Sequence, residues 1–228
     1  MLKIENFEVL GWEHAIRGMR NPMNSWKKSD SNFFDDSEGH VCNICQRRGS
    51  MSLIEMGPND HDLMMCLRNA GTDHRKFMRM ITVYVDITAP LYWWKEFDTY
   101  KVGTVANSCS TMHKIAAKEF TLEDFSCEHL ENSWLAHSKE TIRLLNEARD
   151  AYNWCNTDAK KEWWWQMIQL LPTSYNQKRT VMLNYEVLAN IYKSRRNHKL
   201  DEWHTFCDWI SELPYSELIT GKEYEVEE

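Results

Sequence analysis

Glycine and proline are scarce in this chain, eight and five among 228 residues. So few turn formers exclude a loop-rich or low-complexity protein, and with 43% hydrophobic residues they favour a helix-rich globular chain over a β-sandwich. Positive charge is short as well. Lys and Arg total 27 against 34 Asp and Glu, a formal net charge of −7. That balance argues against a general affinity for nucleic acid polymers or anionic membranes. A phosphate-bearing small molecule stays admissible, because a few local Arg or Lys residues suffice to hold one. Long apolar runs are missing, and even WWWQMIQLL at 163–171 is short and interrupted, so no membrane span is expected. The seven cysteines, at 42, 45, 66, 109, 127, 155 and 207, show no framework spacing. MLKIENFEVL does not read as a signal peptide, and the expectation is a reduced, cytoplasmic protein.

Aromatic bulk is what the chain has in plenty: eleven Trp, nine Tyr and eight Phe, with twelve Met, enough for a substantial core. Neither an internal repeat nor a domain-scale linker interrupts it, so residues 1–228 read as a single domain. The first 26 residues predict a strand (Leu2, Ile4, Phe7, Val9) and a short helix stopped near Pro22. Residues 27–52 are polar and turn-rich, an exposed loop or lid. Asn59 or Asp60 can cap a helix that stops at Gly71. Phe77–Thr88 is the clearest strand, with Ile81, Val83, Val85 and Ile87 alternating against Met80, Thr82, Tyr84 and Asp86. Pro90 then suits the start of a helix whose inner face carries Leu91, Trp94 and Phe97. From Thr121, where a capping box with Asp124 is legible, helices follow to about Tyr152, over Asp158–Leu171, Arg179–Arg196 and Asp201–Leu213. The acidic end, 221–228, reads as frayed. The fold class is α+β, a small sheet with a helical bundle.

Two blocks carry more information than composition does: Pro90–Thr104 (PLYWWKEFDTYKVGT) and Pro172–Arg195 (PTSYNQKRTVMLNYEVLANIYKSR). Both resemble the flavin-dependent thymidylate synthases, which make dTMP from dUMP with bound FAD as hydride carrier. In that family a helix of the form P-x-F-V-x-R-Q-W leads into R-H-R-x-x-S. Here Pro90, Tyr92, Trp93, Lys95, Glu96 and Phe97 follow the helix, and Thr99, Tyr100 and Lys101 occupy the R-H-R positions, with Thr104 at the serine. The second block matches L-P, then N-x-R-x-L-x-x-N-x-x-x-x-R, through Leu171, Pro172, Asn184, Leu188, Asn190 and Arg195. The resemblance implies the family's fold, a homotetramer with sites between subunits, and FAD with a pyrimidine nucleotide as ligands. It implies Thr99, Tyr100, Lys101, Thr104, Asn184 and Asn190 on the cofactor side and Arg195 as the catalytic, substrate-side residue. Arg195 would polarise the pyrimidine carbonyl.

The chain departs from the family in three places. One cation, Lys101, remains of R-H-R, and Lys lacks the planar fork of Arg. The dUMP-binding Glu and Arg are missing whether Asn107 is aligned with or without a one-residue slip. Glu186 stands where the second block has its inner Arg, a reversed charge. These departures leave open a non-catalytic nucleotide-binding or interaction protein that reuses the scaffold. Spacing adds a check: Asn184 and Arg195, eleven residues apart, fall on one face if both lie in one helix, with His198 close to it and Asn190 elsewhere. His40, Cys42 and Cys45 have metal-like spacing, but a closed zinc site needs four ligands and no second C-x-x-C exists, so no metal site is assigned. Cys109 with His113 makes a generic nucleophile–base pair, and a packed Cys is its plain reading.

Overall fold

The computed structural model describes residues 2–34 and 53–221. Most of the expected lid, Cys42 and Cys45, and the acidic end beyond Gly221 lie outside the described residues. In chain order, β1 (Lys3–Leu10) and α1 (Trp12–Arg20) come first, then β2 (Asn32–Phe34) and β3 (Leu53–Glu55). α2 (Pro58–Asn69), β4 (Thr82–Pro90), α3 (Leu91–Phe97), β5 (Val105–Ser108) and α4 (Thr111–Lys114) follow. The remainder is α5 (Asn132–Trp154), α6 (Ala159–Leu170), β6 (Asn176–Asn184), α7 (Tyr185–Arg195), α8 (Asp201–Ser211) and α9 (Glu217–Thr220). Four strands hydrogen-bond in the order β1-β4-β6-β5, while β2 and β3 pair antiparallel with Phe33 opposite Ile54. The chain divides into two interleaved units, one holding residues 1–3, 87–99 and 107–179, the other residues 4–86, 100–106 and 180–228. The mixed helix-and-sheet class expected from the sequence is the one observed.

In the first unit, the hairpin of α5 and α6 closes over Ile115, Phe120, Phe125, Ile142, Leu145 and Met167. Asn146 ties this cluster's edge, its side chain exchanging two 2.8 Å hydrogen bonds with the backbone of Phe120. Thr121 and Asp124 do form a capping box, but it closes only a 3₁₀ turn, and α5 begins later, at Asn132. Pro90 is the N-cap of α3, whose Trp93, Trp94 and Phe97 are fully buried. Burying each such ring is worth about 2–3 kcal/mol. Trp94 Nε1 donates to Gln177 O at 2.8 Å, and the Arg179 guanidinium lies 4.2 Å from the Trp94 ring while donating to Asp98 at 2.8 Å.

In the second unit, the alternation read in β4 holds: Val83 and Val85 are buried, while Tyr84 is exposed. Trp12 packs edge-on between Tyr185 and Tyr215, at 5.3 and 5.2 Å. Gly11, at φ 92°, lets the start of α1 lie against Met80 O, where any Cβ would collide. The cap of α2 comes from neither Asn59 nor Asp60. Asp30 accepts from the backbone N–H of both, at 3.0 and 3.1 Å. Asp60, wholly buried, instead accepts from Arg20 Nε at 2.6 Å, from the hydroxyls of Ser29 and Ser31, and from two backbone N–H groups.

Two expected elements are corrected. The strand expected from Phe77 starts only at Thr82, because Arg75–Arg79 form a 3₁₀ turn. Residues 179–184 are not helical: β6 runs to Asn184 and α7 starts at Tyr185. Gln177, Val181 and Leu183 are buried on alternate positions, the period of a strand, and that burial outweighs any helical tendency of the segment.

Candidate functional site

α7 owes its start to Asn184, an extended residue (φ −130°, ψ 168°) whose side-chain oxygen accepts from Val187 N at 3.1 Å. That is an N-cap, where Asn is a preferred residue, and not the mid-helix position the spacing suggested. Gly103 lies against this cap. Its φ is +79°, and an added Cβ would sit 3.0 Å from Asn184 Nδ2 and 3.1 Å from Val187 Cγ2. The turn from Tyr100 to Thr104 thus folds down on the first turn of α7. Within it Lys101 is exposed, while the Thr104 hydroxyl is buried and has no hydrogen-bond partner.

Arg195 closes the other end of α7. Its Nε donates to Tyr100 Oη at 3.0 Å, and its guanidinium lies 5.6 Å from the Tyr100 ring and 4.8 Å from that of Trp203 on α8. Tyr100 and Trp203 meet edge-on at 6.2 Å, and His198 reaches Trp203 at 6.3 Å. Trp203 is fully buried, so Arg195 is oriented by aromatic faces and is not a loose helix-end cation. Tyr100, Arg195 and Trp203 form one constellation; Gly103, Thr104 and Asn184 form another. Along α7 the two stand about 15 Å apart, at roughly 1.5 Å of rise per residue.

Two expected site residues have hydrogen-bond partners outside both. Thr99 belongs to the first unit, where its hydroxyl donates to Glu96 O at 2.7 Å. Asn190 accepts from Arg75 Nη2 at 3.0 Å. Glu186, the reversed charge, is buried and clamped between Arg75 and Arg79. Its charge is spent on two arginines of the same unit, which removes the objection that it repels an anionic ligand. Sequence reading missed Arg75, Arg79 and Trp203 as partners of this region. The basic pair at 75 and 79, four residues apart ahead of β4, was the available signal. No hydrogen bond joins Cys109 to His113; Ser110 caps α4 by accepting from His113 N at 3.1 Å. Among the described residues no group of three or more His, Cys, Asp or Glu is placed to hold a metal, and no helix is long and apolar enough to cross a membrane.

The turn from Tyr100 to Thr104 sets a buried, orphaned hydroxyl beside an exposed cation. It can donate or accept a hydrogen bond there and supply one positive charge. No family model and no curated protein sequence matches the chain. Solved structures do. Thymidylate synthase X from Helicobacter pylori, in a crystal with FAD and dUMP, superposes with a TM-score of 0.61 at 15% identity, over 96% of this chain and 97% of that one. A second crystal structure of that enzyme with the same ligands gives 0.60 at 14%, over 96% and 98%. The UMP/dUMP methylase PolB from Streptomyces cacaoi, bound with 5-Br dUMP, gives 0.54 at 12%, over 97% and 95%. Nearly whole-length agreement at such low identity is agreement of backbone, and this chain has the fold of the flavin-dependent thymidylate synthases.

Proposed function

We propose that this chain is a divergent flavin-dependent thymidylate synthase-like protein that binds FAD or a pyrimidine nucleotide. The observation that carries the reading is the unpartnered Thr104 hydroxyl, buried in a turn that Gly103 folds onto the N-cap of α7. A buried hydroxyl without a partner costs about 1–3 kcal/mol, and a ligand oxygen or nitrogen would recover that. Bound flavin would supply hydride transfer. Thr104 would hold the ligand by one hydrogen bond, Lys101 would offset phosphate charge, and Asn184 would keep the turn and the helix start in register. Arg195, aimed by Tyr100 and Trp203, would turn its guanidinium toward a pyrimidine carbonyl. A homotetramer, with sites completed between subunits, belongs to the same reading.

A second reading has its own support. The family's dUMP-binding Glu and Arg have no counterpart at Ala106, Asn107, Cys109 or Thr111, or one residue along. A scaffold that binds a nucleotide without the ancestral dUMP-to-dTMP reaction accounts for that loss. An absorbance spectrum of the purified chain, with mass spectrometry of what heat releases, tests the binding. FAD uptake by titration is expected, and T104V should weaken it about fivefold, the equivalent of about 1 kcal/mol. Turnover of dUMP by the FAD-loaded protein separates enzyme from binder. An absence of flavin uptake would sink the flavin reading altogether. For the substrate side, R195A and R195K should each weaken dUMP binding by about tenfold, since Lys keeps the charge and loses the fork.

A further inference from the structure

Four cations converge on one hollow of about 430 Å³ in the second unit: Arg68 of α2, Arg75, and Lys193 and Arg196 at the end of α7. Among the described residues no acidic side chain lines it. On a chain of net charge −7 that is a local inversion of sign. Glu186 reaches Arg75 at 3.4 Å, but Arg68, Lys193 and Arg196 make no ion pair among the described residues. The hollow is also built. Arg68 is pinned by donating from Nε and Nη2 to Leu218 O and Ile219 O, both at 3.2 Å, and from Nη1 to Asn69 Oδ1 at 2.9 Å. Gly221, at φ 75°, makes room for the Arg68 guanidinium where a side chain would collide. Partial burial, and then the positive charge of Arg75, disfavour the charged form of Arg68. The fold thus holds four like charges together, and among the described residues only Arg75 has a carboxylate, Glu186, to relieve it.

We propose that this hollow binds a phosphate-bearing anion, a pyrophosphate or the diphosphate end of a nucleotide, through Arg68, Arg75, Lys193 and Arg196. Its volume is in the range of small-ligand sites. Guanidinium forks suit the oxygens of a phosphate, and Lys193 adds a point charge. Tyr100, Lys101, Thr104 and Arg195 do not line it, and Asn190 alone is shared with the expected cofactor residues. The proposal therefore does not rest on flavin binding.

Calorimetric titration of the full chain at low ionic strength tests it, with sodium pyrophosphate and with ADP as separate probes. The wild-type chain is expected to bind pyrophosphate, and K193E/R196E to weaken it at least tenfold. Both side chains are exposed, so the fold should persist; a thermal melt checks this, and K193A/R196A serves if the reversal unfolds. K139E/K161E, exposed positions in the other unit with the same change in net charge, should leave binding unchanged. T104V should also leave it unchanged, which separates this site from the flavin reading. Equal affinity for the two probes puts recognition in the phosphates, and tighter ADP adds a nucleoside contact; either supports the site. Absence of pyrophosphate binding, no effect of K193E/R196E, or equal loss in K139E/K161E would each overturn it.

Discussion

Asp60 has no exposed surface, yet it is held in its charged form. Burial by itself would raise its pKa; hydrogen bonds from Ser29, Ser31, Arg20 and the Asp30 backbone outweigh burial and leave it below the ordinary Asp value of 3.8. A folded-state value below the unfolded one contributes stability that is complete above pH 3.8 and drains away as pH falls through the lower, folded value. D60N should cost about 3 kcal/mol in urea denaturation at neutral pH, because Arg20 is left buried without a counter-charge. Its stability should also fall less steeply than wild type below pH 4 (about the unfolded Asp pKa). Thr104 is the opposite case, a polar atom in excess. T104V should leave the ligand-free chain as stable as wild type or up to about 1 kcal/mol more stable, while lowering flavin uptake. A loss of stability without ligand would show that the hydroxyl has a partner. Asp60 was legible only as a cap, because its partners are about thirty residues away in sequence.

At the scale of elements, the junction of β6 and α7 decides how the candidate site is built. Gly103 at φ +79° beside Asn184 tolerates no side chain without shifting the turn. G103A should lower stability by about 1–2 kcal/mol, the cost of a left-handed residue with a Cβ. The N184A variant should lose about 1 kcal/mol through the cap alone. Both should weaken flavin uptake, and melts with and without FAD will check this. Elements with a strong local signature were read well. β4 alternates β-branched residues, α3 starts at a proline, and α6 and α8 end within two residues of expectation. β6 was misread because KRTVMLN lies between a proline loop and a helix and carries both periods weakly. Its burial on alternate residues exists only once neighbouring strands cover it.

For the whole molecule, exposed aromatic surface stands out on the α5–α6 hairpin. Trp134 and Trp154 are 72% and 87% exposed, and Trp163 and Trp165 are 41% and 43% exposed. Such side chains on one hairpin are expected at an interface. If the chain assembles as a homotetramer, W154E/W163E should shift native mass spectra toward smaller species with little change in the far-UV spectrum. An unchanged mass would remove this face from the assembly. The sequence by itself determined the class, the strand-to-helix order around Pro90 and the identity of the residues to watch, since those depend on local periodicity and on motifs a few residues long. Only the tertiary structure decided what those residues do. Glu186 became a clamp for Arg75 and Arg79, Asn184 a cap, and Arg195 a cation held by two rings, while Arg68, Arg75, Lys193 and Arg196 came together from two distant stretches of chain. Each of these depends on long-range proximity, and a charge or an amide acquires its partner and its burial only when the chain has folded around it.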